Sequence, residues 1–394
     1  MKLNTRWIIC FCLLLPFFEP QYFKTIPLIN KGYQLAVYLV AIWIIFEYFR
    51  KRRMPSKIVL ALAGLEVWTL LITLLSGGIV NTAVQNLINF VTIAAVLDLY
   101  SHNVKQLVQC LMLHFEICIY INAFTLFVMP NGIYTIINSV YGVSPGYFLG
   151  WHHLFVVWFF PGLLTAWLYK EITKKSLRCY FLSLIIILSE LKFGGSTGIA
   201  GCVLFLLPNI LPHIKTIIKK YLPPARGVII TVAIIISIVY FRIYDYLEPL
   251  IVGVLGGDMT FTGRLEIWDN AIKAIAAKPL QGYGIITQSV AVKTFGFTAA
   301  THCHNQLLHV IYQSGLVGLC FYAVIYVINI SCCKRMWHDT CAQTCIWGII
   351  VYTVLGITEQ REYALMYLAL ILPYYIVHQR AKKRSSRNFL GGQL

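Results

Sequence analysis

Two groups of residues could do chemistry in this chain. The first is Thr301-His302-Cys303-His304-Asn305, with His309 about one helical turn further on. An imidazole at an aqueous boundary can donate to phosphate or serve as a general base. The competing role is a boundary histidine hydrogen-bonded to a neighbouring loop. Zinc is a poor fit, because His302 and His304 stand one residue apart and His309 projects from a helix, so no metal is expected. The second group centres on Arg264, in the first turn of a helical pattern and four residues before Trp268. The positive end of a helix dipole disfavours a cation and favours an anion. An arginine fork beside free backbone N–H groups therefore suits paired phosphate oxygens. Stacking of the guanidinium on Trp268 is the alternative. Glu190 and Lys192, which flank a bend before Gly194, and His152 and His153, which follow Trp151, complete the polar candidates.

These groups must be positioned by a very apolar chain. Of its 394 residues 59% are hydrophobic and only 12% charged, with a formal net charge of +17. A soluble domain carries roughly 45–50% apolar and about 25% charged residues, so a soluble multi-domain enzyme is excluded. The 23 Phe, 24 Tyr and 9 Trp exclude a disordered chain. Crossing a bilayer takes roughly 20 mostly apolar residues. About twelve stretches qualify: Trp7–Phe18, Tyr33–Phe49, Ile58–Leu75, Val80–Leu97, Leu107–Met129, His153–Tyr169, Cys179–Leu191, Gly195–Leu211, Val228–Tyr240, Asn305–Ile330, Cys341–Ile357 and Tyr363–Val377. The expected fold is an all-α polytopic membrane protein, a single integral membrane domain over residues 1–394.

Placing the N-terminus in the cytoplasm and alternating puts 23 of the 32 basic residues on inner segments and nine outside. The positive-inside rule asks for that bias. Both termini are then cytoplasmic, and residues 378–394 form a basic tail facing anionic lipid. The charge excess is a topology signal, and no nucleic-acid partner is expected. The first stretch lacks a small-residue cleavage site and reads as a retained anchor. Of twelve cysteines only Cys303 is expected outside, which leaves it no partner for an intrachain disulfide.

Two outer connections are long, and long loops usually have a task. One runs from Pro130 to Trp151, the other over residues 242–303. Within the second, Leu265, Trp268, Ile272 and Ile275 recur at helical steps and predict an amphipathic helix over Thr262–Ala277, ended by Pro279 and a Gly282-Tyr283-Gly284 turn. Such a helix lies on the outer membrane surface or caps a cavity between spans. Glu66 and Glu116, near mid-span, are either interhelical hydrogen-bonding groups or functional residues.

The pattern His304-Asn305, nine residues, Gly315-Leu316-Val317-Gly318 resembles the H-[N/S/Q]-x9-G-x-x-[G/T/Y] signature of bacterial O-antigen ligases. The related Wzy-type O-antigen and capsule polymerases share much of this region. Gly263-Arg264 followed by Trp268 resembles the family's Gly-Arg-x-x-x-Trp, and Pro279 with Gly282-Tyr283-Gly284 its Pro-x-x-G-x-G turn. The resemblance covers residues 262–318. It implies a GT-C-like membrane glycosyltransferase, without metal or other cofactor, that uses a polyprenyl-pyrophosphate-linked glycan donor and a glycan acceptor at the outer face of the bacterial cytoplasmic membrane. Arg264 would hold the donor pyrophosphate, and His304 would bind phosphate or assist the acceptor hydroxyl. Independently of the resemblance, Glu190, Lys192, His152 and His153 face the same outer compartment as Arg264 and join His302 and Asn305 as candidate substrate-binding residues. A flippase and a chain-length regulator are the protein partners such an enzyme implies. One departure stands out. Where the family often has a Ser-Arg pair, this chain reads Ser196-Thr197-Gly198, leaving Lys192 or Arg361 to supply the second cation. The departure leans toward a polymerase of lipid-linked repeat units. The alternative is a ligase transferring the glycan to a lipid A core or protein. A lipid-linked oligosaccharide flippase would instead call for inverted repeats and charges lining the mid-bilayer.

Overall fold

The structure is a computed structural model that describes residues 5–138, 142–193, 195–241, 260–296, 302–357, 360 and 362–391. In hydrocarbon each backbone N–H and C=O has to be satisfied within the segment, so apolar stretches fold as helices. They are α1 (Thr5–Leu14), the short α2 (Gln21–Lys24), α3 (Pro27–Arg50), α4 (Lys57–Leu75), α5 (Val80–Tyr100), α6 (Val104–Val128), α7 (His152–Thr173) and α8 (Leu177–Phe193). The chain continues as α9 (Ser196–Ile210), α10 (Pro212–Tyr221), α11 (Pro224–Val239), α12 (Thr260–Ala277), α13 (Gln288–Phe295), α14 (Gln306–Arg335), α15 (Thr340–Leu355) and α16 (Ala364–Gly391).

Each of the twelve apolar stretches coincides with one of these helices. By length and apolarity, five described stretches can cross a membrane: Pro27–Arg50, Lys57–Leu75, the continuous Val80–Val128, His152–Thr173 and Gln306–Arg335. Thr197–Ile210 and Pro212–Tyr221, bent by 95° at the break, make a sixth if they form one crossing. Thr5–Phe17, Pro224–Val239 and Thr340–Leu355 are apolar but shorter. One connection holds an element that the apolar pattern did not announce. Within 130–151, β1 (Tyr134–Asn138) pairs antiparallel with β2 (Gly142–Gly146), Tyr134 opposite Gly146.

Two helices have long stretches that are apolar all round, and these lie at the centre, as such stretches must. These are α7, buried continuously from Phe155 to Tyr169, and α16, buried from Leu365 to Leu372. By contrast α3 keeps Leu28, Leu35, Leu39, Ile42, Phe46 and Phe49 exposed, an apolar face suited to lipid. Several charges inside the bundle are paired. Arg178 of α8 donates to both carboxylate oxygens of Glu116 on α6, Nε at 2.9 Å, so Glu116 joins two helices. Arg53 and Tyr48 hold Asp98 at the end of α5, and Arg380 of α16 holds Asp339 before α15 at 2.6 Å. Glu66 is buried in α4. All twelve cysteines are free.

Candidate active site

A broken helix organises the site. At Gly315 the backbone of α14 adopts φ 62°, ψ −166°, a conformation open to glycine alone. The break deprives the carbonyls of Tyr312 and Gln313 of their helical donors. The Gly282-Tyr283-Gly284 turn replaces them: Tyr283 N–H donates to Tyr312 O at 2.9 Å and Gly284 N–H to Gln313 O at 2.8 Å. In return Leu316 N–H donates to Pro279 O at 2.9 Å. The Ser314 carbonyl accepts from the Trp68 indole of α4 at 2.8 Å. The turn also reaches the α4–α5 bend, where Ile79 N–H donates to Ile285 O and Ile285 N–H to Thr73 Oγ1. Both turn glycines have positive φ, and a Cβ on Gly284 would lie 2.5 Å from Thr73 Cα. The glycines spaced along the sequence motif are thus parts of one interlocked joint.

The joint fixes the mouth of α14. Asn305 caps the helix, its Oδ1 accepting from Leu308 N–H and its Nδ2 donating to Ile357 O, each at 3.0 Å. The residue expected to bind substrate therefore spends both polar groups on the fold. Just before it, His304 sits in the left-handed region (φ 47°), and its N–H donates to His302 Nδ1 at 3.1 Å. A neutral His302 then carries its proton on Nε2. The rings of His302 and His304 are 4.1 Å apart and those of His302 and His309 6.2 Å apart. His309 Nε2 lies 3.3 Å from Glu362 Oε1, from the segment that leads into α16. His302, His309 and Glu362 line a cavity of about 170 Å³ together with Asn86, Gln313 and Gln360. Between the histidines, burial and then the Glu362 charge push the Cys303 thiol well above its ordinary range, so it stays protonated and is no nucleophile. Among the described residues no three His, Cys, Asp or Glu side chains are grouped to hold a metal ion.

Helix α12 closes over this mouth. Its stripe faces protein: Ile267, Trp268 and Ala271 are buried with Ile235 and Val239 of α11 and Leu308 and Tyr312 of α14, and Leu265, Ile272 and Ile275 pack against them. The apolar side of the helix is therefore packed against α11 and α14. The Trp268 indole donates to Cys303 O at 3.0 Å, tying the helix to the histidine segment, and Tyr283 stacks on Tyr312 with centroids 4.9 Å apart. Arg264 stands one turn before Trp268, on the same helix and partly exposed.

Residues 179–323, which hold Arg264, the turn, the histidine segment and Gly315, match the family model described as O-antigen ligase. Over that segment the chain is similar to the O-antigen ligase family. Over 90 residues it is also 32% identical to the exopolysaccharide production protein ExoQ of Rhizobium meliloti (strain 1021), a stretch that spans 20% of this chain and 20% of that protein.

The remaining candidates lie elsewhere in the chain. Glu190 is buried near the end of α8 with its carboxylate against Gly198 of α9, where a Cβ would come within 2.6 Å of Oε1. His153 approaches the same bend, its Nδ1 3.7 Å from where a Gly195 Cβ would be, and its ring lies 4.0 Å from that of His152. The bend and the two histidines thus form a second polar group, separate from the lining of the 170 Å³ cavity. Lys192 places its ammonium over the Phe127 ring at 4.7 Å. Arg361 lies outside the described residues, as do residues 242–259 and 297–301 of the long loop. Two participants escaped the sequence reading. Glu362 pairs with His309 across 53 positions of chain, a proximity no local pattern announces. Asn86 belongs to a polar stripe, Thr82, Gln85, Asn86 and Asn89, whose helical spacing inside an apolar span was a usable signal.

Proposed function

We propose that the protein is a polysaccharide polymerase, a glycosyltransferase that joins polyprenyl-pyrophosphate-linked repeat units at the outer face of the bacterial cytoplasmic membrane. The products would be capsule, exopolysaccharide or O-antigen. The observation that carries this reading is the linked pair of histidine segment and helix α12 within the segment that matches the O-antigen ligase family model. In the reaction an acceptor hydroxyl oxygen bonds to the anomeric carbon of the donor sugar. The bond from that carbon to the pyrophosphate oxygen breaks, polyprenyl pyrophosphate departs, and the hydroxyl proton passes to a base. The leaving group is already good, so the site has mainly to supply positive charge and orientation. Arg264 binds the pyrophosphate, and His304 binds phosphate or takes the acceptor proton, with His302 a further substrate-binding residue. An apolar groove of about 230 Å³ along α14, lined by Leu319, Tyr322, Tyr326 and Val327, suits the polyprenyl chain.

In this reading the chain crosses the membrane twelve times with both ends in the cytoplasm, needs no metal, and works beside a flippase and a chain-length regulator. The second reading is a ligase, favoured by the description of the matched family. The name of the exopolysaccharide relative and the missing arginine at Ser196-Thr197-Gly198 favour the polymerase. The lipid-linked pool of a deletion strain separates them. A lost polymerase is expected to leave single repeat units on the lipid at the outer face. Long lipid-linked chains would mean a ligase, and units held at the cytoplasmic face a flippase.

A further inference from the structure

A larger cleft adjoins the histidine cavity and lies wholly outside the matched family segment. Its volume is about 410 Å³, within the range of about 300–1,000 Å³ usual for small-ligand sites. It runs between the α1–α3 region, α5, α7 and the start of α16, and it shares Asn86 and Glu362 with the histidine cavity. A ligand filling the cleft would therefore end beside the reacting centre.

Its lining is unusual for a membrane bundle. Gln21, Asn30, Gln34, Gln85, Asn86 and Asn89 all face it. Gln85, Asn86 and Asn89 fall on one side of α5, six to ten residues into the helix, so about 8–15 Å along its axis. Amides at such depth are ordinarily explained as bonds between helices. That explanation fails here, because among the described residues the side chains of Gln85, Asn86 and Asn89 hydrogen-bond to no protein group. Only Gln34 and Asn30 satisfy each other, at 3.2 Å. Glu19 adds a carboxylate oxygen that is buried with no hydrogen-bond partner. Rings of Tyr33, Trp158 and Tyr363 complete the walls. An amide offers a donor and an acceptor side by side, which matches a pair of neighbouring hydroxyls, and aromatic faces suit the C–H side of a sugar ring.

We infer that this amide-lined cleft binds the glycan of the lipid-linked substrate and holds its reacting sugar against the histidine centre. The inference rests on the glycosyltransferase reading and assigns its sugar subsite to residues of α3 and α5.

The test uses full-length protein in nanodiscs and two probes: the undecaprenyl-pyrophosphate-linked repeat unit extracted from the deletion strain, and glycan-free undecaprenyl pyrophosphate. Wild type is expected to bind the glycan-bearing lipid at least tenfold more tightly. Gln85→Ala with Asn89→Ala should weaken that lipid about tenfold, the loss of two hydrogen bonds, and leave glycan-free lipid unchanged. The unchanged arm also reports an intact fold. Asn89→Gln, which keeps the amide, should recover part of the loss. Equal wild-type affinity for both lipids would overturn the cleft while sparing the proposed reaction. Equal weakening of both probes in the double variant would mean a structural role and would also overturn it. Binding of neither probe by wild type would remove the glycosyltransferase reading and the cleft together.

Discussion

Replacing His304 by asparagine, or Arg264 by alanine, is expected to reduce polymer formation at least about a hundredfold while leaving protein abundance unchanged. Removing one preorganised group aimed at developing charge typically costs about 10²–10³ in rate. Both residues are partly exposed and neither belongs to the packed clusters, so the fold loses little. Asparagine is the better probe at position 304. The backbone there has φ 47°, which asparagine tolerates well and alanine does not, so the loss reads as loss of the imidazole. Arg264→Lys keeps the charge and loses the planar fork, and an intermediate activity is expected. The check is the surface polysaccharide ladder beside an immunoblot, and wild-type ladders in both variants would remove Arg264 and His304 from the site.

The second large effect concerns the joint. Gly315→Ala is expected to cost about 3 kcal/mol or more, from a backbone conformation only glycine adopts and from overlap with the Leu280 carbonyl. Relief by straightening the helix would tear out the bonds from Tyr283 and Gly284. Abundance should fall several-fold, with a lower thermal midpoint in detergent. Gly32→Ala is the control: it lies within α3, meets nothing within 4 Å of the added carbon, and should be neutral or slightly stabilising. Equal midpoints for the two variants would contradict the role given to the break.

Much of this architecture was legible because its causes are local. Apolar runs such as Val80–Leu97 are helices for want of any other way to satisfy their backbone. The Leu265, Trp268, Ile272, Ile275 stripe foretold α12 and its buried side. The motif glycines were visible as letters, but their purpose was not. Gly282, Gly284 and Gly315 work as a set only because a turn and a helix some thirty residues apart meet at α4. Asn305 read as a binding group and serves as a helix cap, a role that its position before an apolar run could have suggested. The hairpin at 134–146 was hidden by a short, mixed sequence without strong alternation. The pairing of Glu362 with His309 depends on how α14 and α16 pack, which no spacing rule reaches.

The central claim is that this chain itself transfers glycan from a polyprenyl pyrophosphate carrier, and reconstitution tests it most directly. Purified protein in liposomes would be given undecaprenyl-pyrophosphate-linked repeat units alone, and lipid-linked chain length and free undecaprenyl pyrophosphate would be followed together. The account predicts chains of two or more repeats, one undecaprenyl pyrophosphate released for each new linkage, and neither product from His304→Asn protein. Repeat units that remain single, with no carrier released by the folded wild-type protein, would contradict it.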